Sequence, residues 1–182
     1  MISANARFSL TWLVVAIGIT ALMGCTYPAR VMELVPENYD MLHHHDGSVE
    51  ISVEGGKETS MSTTLCEISN DVYREALVQS IKKSNLFKEI ISSDGDYALH
   101  VTINNQEMGE RGFADMDVDV MTSWELRDNQ TSKVLWKDVV TSNYKATVSD
   151  AFNGAHRYRM AKEKAAQKNI QMGVEALSKL SL

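Results

Sequence analysis

The sequence predicts an α+β fold: a two-layer sandwich in the order β-α-β-β-β-α, with two helices on one face of a four-stranded mixed sheet. Three observations lead there. Several stretches alternate apolar and polar residues, the period of a strand with one buried face. Two others, one internal and one C-terminal, repeat apolar residues at spacings of three and four, the period of a helix with one buried stripe. Gly, Asn, Asp and Ser clusters separate them, as turns require. With 182 residues, 44% of them hydrophobic and 23% charged, the chain suits one globular domain with its own core.

The first strand is marked by Val49, Ile51 and Val53, which alternate with Ser48, Glu50, Ser52 and Glu54 and stop at Gly55-Gly56. A helix follows. Ser69 or Asn70 can cap it, Val72, Tyr73, Ala76, Leu77 and Ile81 share one face, and it ends near Ser84-Asn85. Ile90 and Ile91 open an extended region that turns at Ser93-Asp94-Gly95 and leads into the second strand, 97–103, with Tyr97, Leu99, Val101 and Ile103 on one face and Ala98, His100 and Thr102 on the other.

The clearest alternation is Met116, Val118, Val120, Thr122, Trp124 and Leu126 against Asp115, Asp117, Asp119, Met121, Ser123 and Glu125. It predicts a long strand with one wet face. Residues 128–132 (DNQTS) are turn chemistry and 133–146 return as a fourth strand, so the two form a hairpin in which a five-residue loop places Trp124 opposite Trp136. The last helix starts near Ser149 with a weak point at Gly154. Its stripe of Tyr158, Ala161, Ala165, Met172, Ala176 and Leu180, with Ala166, Ile170, Gly173 and Leu177 beside them, runs nearly to the C-terminus, and its small residues let it lie close on a sheet. The first and second strands are expected to run parallel through a crossover helix and the last three as an antiparallel meander.

Ahead of this domain stands an export segment. Arg7 is its only charged residue, 8–19 (FSLTWLVVAIGI) is apolar, and Leu22-Met23-Gly24-Cys25 resembles the bacterial lipobox. The stretch is too short and too interrupted by Ser9, Thr11 and Thr20 for an uncleaved span of about 20 apolar residues. The expected division is a signal peptide at 1–24, a lipidated tether at 25–46 and a periplasmic domain at 47–182. Cleavage falls between Gly24 and Cys25, and Cys25 carries the acyl chains, palmitate among them. Several chains are needed, because one contributes only ~0.8 kcal/mol per buried CH₂. Thr26, rather than Asp, follows the cysteine, which in enterobacterial sorting implies the inner leaflet of the outer membrane, facing the periplasm.

Other chemistry is sparse. His43-His44-His45-Asp46 offers metal-binding groups, but adjacent histidines without further ligands at helical spacing do not close a site. Cys66 has no Cys-x-x-Cys and no cationic cluster, and packs as a small hydrophobe. Asp115, Asp117 and Asp119 mimic a calcium loop, yet Val120 and Leu126 stand where that loop needs glycine and glutamate. His100 is read as structural, and Arg157, Lys164 and Lys168 as a solvated side of the last helix. A formal net charge of −6 argues against nucleic acid or anionic lipid headgroups as partners. No catalytic, cofactor-binding or metal-binding residue is expected.

The lipobox and the β-α-β-β-β-α order together resemble the lipopolysaccharide-assembly lipoprotein, the penicillin-binding-protein-activator lipoproteins and the auxiliary lipoproteins of ABC-type transport systems. More locally, Trp124-Glu125-Leu126-Arg127-Asp128, then Thr131, Val134-Leu135-Trp136 and Asp150-Ala151-Phe152-Asn153-Gly154, are similar to a group of uncharacterised Gram-negative lipoproteins in which glycine often replaces Ser132. These likenesses imply a non-enzymatic accessory or binding subunit of the cell envelope with a protein partner. The alternatives are an envelope enzyme using Cys66 or a lipid carrier with an apolar cavity.

Overall fold

The structure, a computed structural model, describes residues 29–56, 67–108 and 115–182. Its elements are α1 (Val31–Leu34), β1 (His45–Glu54), α2 (Asn70–Ser84), β2 (Phe87–Ile91), β3 (Tyr97–Met108), β4 (Met116–Asp128), β5 (Val134–Ala146) and α3 (Gly154–Leu177). They form an α+β fold with one mixed sheet in the order β2-β1-β3-β4-β5. Five strands therefore replace the four expected. The extra one, β2, pairs in parallel with the first half of β1, while β3 pairs in parallel with the second half. The chain crosses over β1 between them at 92–96. Gly95 makes that crossing close enough, since a Cβ there would lie 3.0 Å from the backbone N of Glu50. Asp96 fixes it by accepting from the N–H and hydroxyl of Ser48, both at 2.8 Å.

Helix α2 follows its sequence signals. The Ser69 hydroxyl accepts from the Val72 N–H at 3.3 Å, and Asn85, at φ 50°, closes the C-terminus in the left-handed conformation. Tyr73, Ala76, Leu77 and Ile81 are buried on Val49, Ile51, Leu99 and Val101. Helix α3 begins at Gly154, capped by Asn153, rather than near Ser149. It covers β4 and β5 with Ala161, Ala165, Ala166, Gly173 and Val174.

The hairpin β4–β5 is antiparallel as expected, but its register differs. Trp136 pairs with Leu126, and Trp124 pairs with Asp138. The turn closes one residue later than expected, at a 2.9 Å bond from Asp128 N–H to the Lys133 carbonyl. A bulge between Leu126 and Arg127 adds a second residue. Two slips of one residue cancel in parity, so the inward face is as predicted and only the partner is wrong. Ser132 occupies the turn at φ 58°, which explains why glycine suits that position.

The largest departure is at the N-terminal side. The expected tether, 25–46, is described from Ala29 onward, and 29–45 is packed. Ala29, Leu34, Val35 and His45 are buried, and Tyr39 and Met41 lie against the core. This strap fills the seam between α2 and α3. Its sequence lacks any period because a segment laid between two helices buries residues irregularly, and periodicity is blind to that.

Candidate functional site

The open face of the sheet carries an array of polar side chains that spans four strands. The register aligns Ser52, His100, Glu125 and Lys137 in one row across four strands. His100 Nδ1 shares a 2.9 Å hydrogen bond with the Ser52 hydroxyl, and its Nε2 lies 3.1 Å from Glu54. Glu125 accepts from Arg127 at 2.7 Å and from Lys137 at 3.1 Å. Those two cations, Arg127 first, hold its carboxyl below the usual range. Further along, Asn143 donates to Asp117 at 2.6 Å and to Asp119 at 2.9 Å, and Asp115 pairs with Lys145 at 2.8 Å, which raises the lysine's pKa.

The three aspartates thus share the wet side of one strand, as their spacing of two requires. Each has a cross-strand partner, Lys145 for Asp115 and Asn143 for Asp117 and Asp119. Met121 and the exposed Val139 lie on the same face. On this face Glu125 and Asp115 are matched by cations, whereas Asp117 and Asp119 share the neutral amide of Asn143.

The histidine run does not converge. His44 Nδ1 meets the Asn85 carbonyl at 2.7 Å, at the end of α2, whereas the His45 Nε2–H donates to the Leu177 carbonyl at 3.1 Å, at the end of α3. His43 and Asp46 are exposed. No group of three or more potential metal ligands occurs among the described residues. Arg157 is buried rather than solvated, and its guanidinium donates to the carbonyls of Ala151 and Phe152, both at 2.7 Å. Gly24, Cys25 and Cys66 lie outside the described residues.

Two arrangements had no counterpart in the sequence reading. The first is a buried polar cluster at the centre of the sandwich. Asn169 Oδ1 accepts from the Tyr73 hydroxyl at 2.8 Å and from the Thr122 hydroxyl at 2.6 Å, and its Nδ2 donates to the carbonyls of Val120 and Val140. Trp124 Nε1 donates to Thr122 at 2.7 Å. Burial pushes the Tyr73 phenol far above its ordinary pKa. Thr122 in an apolar row and Asn169 in an apolar stripe were the available signals. The second is the lock on the strap: Glu163, 3% exposed, accepts from the Arg30 backbone N–H at 2.9 Å and from its guanidinium at 3.3 Å through both oxygens.

No family model matches the chain, and no curated protein matches it either. Among solved structures, the DUF330 protein of Xanthomonas campestris has a similar fold at TM-score 0.59 and 11% identity, over 84% of this chain and 94% of that one. A candidate lipoprotein from Caulobacter crescentus follows at 0.51 and 13%, over 72% and 88%. A hypothetical protein from Chlamydia trachomatis matches at 0.51 and 8%, over 72% and 98%. At these identities the likeness is one of fold, and the chain has the fold found in these bacterial proteins.

Proposed function

We propose that the chain is a lipoprotein of the cell envelope, anchored by acyl chains on Cys25 to the inner leaflet of the outer membrane. There it serves as a non-enzymatic accessory or binding subunit and holds a protein partner against the helix-free face of its sheet. The observation that carries this reading is the pairing of a lipobox cysteine with a domain in which Ala29, the first described residue and four positions later, is already buried. The fold shared with a candidate lipoprotein supports it.

The lipid-carrier alternative needs space between helices and sheet. There Tyr73, Trp124, Leu126, Asn169 and Ile170 are fully buried. The enzyme alternative rests on Cys66 or the His43 to His45 run, and a chain with those four residues replaced that restores every phenotype of a deletion removes it.

Site-specific photocrosslinking tests the main reading. A photoreactive amino acid at Met121 or Lys137, in intact cells, is expected to give a discrete adduct with an envelope protein, and Cys25→Ser is expected to abolish it. Absence of any adduct from both positions overturns the proposed contact face.

A further inference from the structure

The strap fixes which side of the domain meets a membrane. It runs along the seam between α2 and α3 in step with α3: Arg30 is held by Glu163, the Val35 carbonyl by Gln167 at 3.0 Å, the Asp40 N–H by Glu175 at 3.1 Å and the Leu42 N–H by Ser178 at 3.3 Å. On the α2 side, Lys83 donates to the Pro36 carbonyl at 2.9 Å. The strap therefore belongs to the helical layer, on the opposite side of the domain from the open sheet face. Four residues of extended chain span at most ~14 Å, so acyl chains on Cys25 must leave the domain close to Ala29 and Arg30, beside the middle of α3.

Two large apolar side chains of the strap are turned outward: Met32 is 74% exposed and Leu42 62%. Lys83 flanks the strap on one side, and Lys164 borders it on the other through Gln167, which it contacts at 3.1 Å. The strap also carries the exposed acids Glu37 and Asp40, so it is the two exposed apolar side chains and the flanking lysines that suit the interfacial zone of a bilayer, where the stems stay on apolar surface and the ammonium groups reach phosphates. A leash this short keeps that surface at the bilayer at high effective concentration.

We infer that the strap side of the helical layer is a membrane-seating surface, with Met32 and Leu42 entering the interface of the bilayer that holds the Cys25 acyl chains. Lys83 and Lys164 sit at headgroup level, and the open sheet face is turned toward the aqueous side. The inference rests on the acylation proposed above.

To test it, a fluorescent amino acid is introduced by stop-codon suppression at position 32, 42 or 137, with Cys25 and Cys66 left in place. The acylated full chain is reconstituted in vesicles of phosphatidylethanolamine and phosphatidylglycerol, with or without nitroxide-labelled lipid. Flotation is measured first, and each labelled chain must melt like the unlabelled one. Emission from 32 and 42 is expected to fall several-fold with nitroxide lipid, while emission from 137 stays unchanged. If the chain floats but 32 is unquenched, or 137 is quenched as strongly, the seating surface is overturned and the anchor stands. If the chain does not float, the acylation reading itself fails, and this one with it.

Discussion

Gly173 of α3 lies directly on the indole of Trp124, and a Cβ at that position would overlap the six-membered ring. The helix approaches the sheet at the one place where the largest buried side chain stands, and glycine is the residue that makes room. Gly173→Ala is therefore expected to destabilise, although alanine is favoured over glycine inside a helix by about 1 kcal/mol. Overpacking a well-filled core costs about 1–3 kcal/mol, which leaves a net loss of about 1 kcal/mol in chemical denaturation. An unchanged or raised midpoint would show that the indole can move aside.

The Tyr73–Asn169–Thr122 cluster predicts unequal substitutions. Asn169→Leu removes the acceptor of the Tyr73 and Thr122 hydroxyls and the side-chain donor to the carbonyls of Val120 and Val140, of which Val120 keeps the Ser142 hydroxyl at 3.4 Å. A loss of about 2–5 kcal/mol is expected, against about 1 kcal/mol for Tyr73→Phe, which removes one donor and leaves Asn169 its other partners. The double variant is expected to lose less than the two single losses combined. Strict additivity in a denaturation cycle would mean that the groups act independently.

Arg30→Ala removes the guanidinium from the buried carboxylate of Glu163, which keeps the backbone N–H of residue 30 at 2.9 Å and Arg159 at 3.8 Å. Because the Arg30 side chain is itself half exposed, the expected cost is about 1–2 kcal/mol, below that of breaking a fully buried pair. The loss should be local. Limited proteolysis is expected to cut within 29–45 before any other described segment, and uniform susceptibility along the chain would contradict the strap's dependence on this lock.

His45 supplies a pH dependence. Its burial lowers its pKa from the ordinary 6.5, so below about pH 6.5 the unfolded chain binds a proton that the folded chain resists. Stability conferred by neutral His45 is thus complete above that pH and declines as pH falls toward the depressed folded value. The melting temperature of the native chain is expected to drop between about pH 7 and pH 5, before the carboxylates titrate. His45→Phe, whose ring can pack beside Phe87 as the imidazole does at 5.0 Å, should flatten that decline, and equal slopes in both proteins would assign it to other groups.

Ser132 holds a positive φ of 58° in the β4–β5 turn, a conformation costing a residue with a Cβ about 1–2 kcal/mol. Glycine removes that strain and adds unfolded-state entropy of about 0.5–1 kcal/mol, so Ser132→Gly is expected to raise stability by about 0.5 kcal/mol. A lowered melting temperature would indicate that the serine hydroxyl matters more than its backbone.

Periodic elements were legible because the side chains that betray them are the ones they bury. The stripe of α2 and the alternation of β4 needed only their own residues. What escaped depends on neighbours. At five residues, β2 is too short to show a period and exists because the first half of β1 offers it a parallel edge. The hairpin partner of Trp124 depended on a bulge and a late turn, neither of which hydrophobic pattern encodes. The open polar face was visible at Asp115, Asp117 and Asp119, whereas the aperiodic strap passed for a tether, which hid its packing between the two helices.

The strap joins the first described residues to the last helix, with Arg30 and Glu163 separated by 133 positions. Its place in the seam does not exist until α2 and α3 both stand on the sheet, so the start of the domain is completed by its end. Contacts of such long sequence separation slow folding, because a large loop must close before they form. A chain shortened before α3 could lay down β1 to β5, yet its strap would have nothing to lie against. Sealing of the N-terminal side thereby reports that the whole domain has arrived.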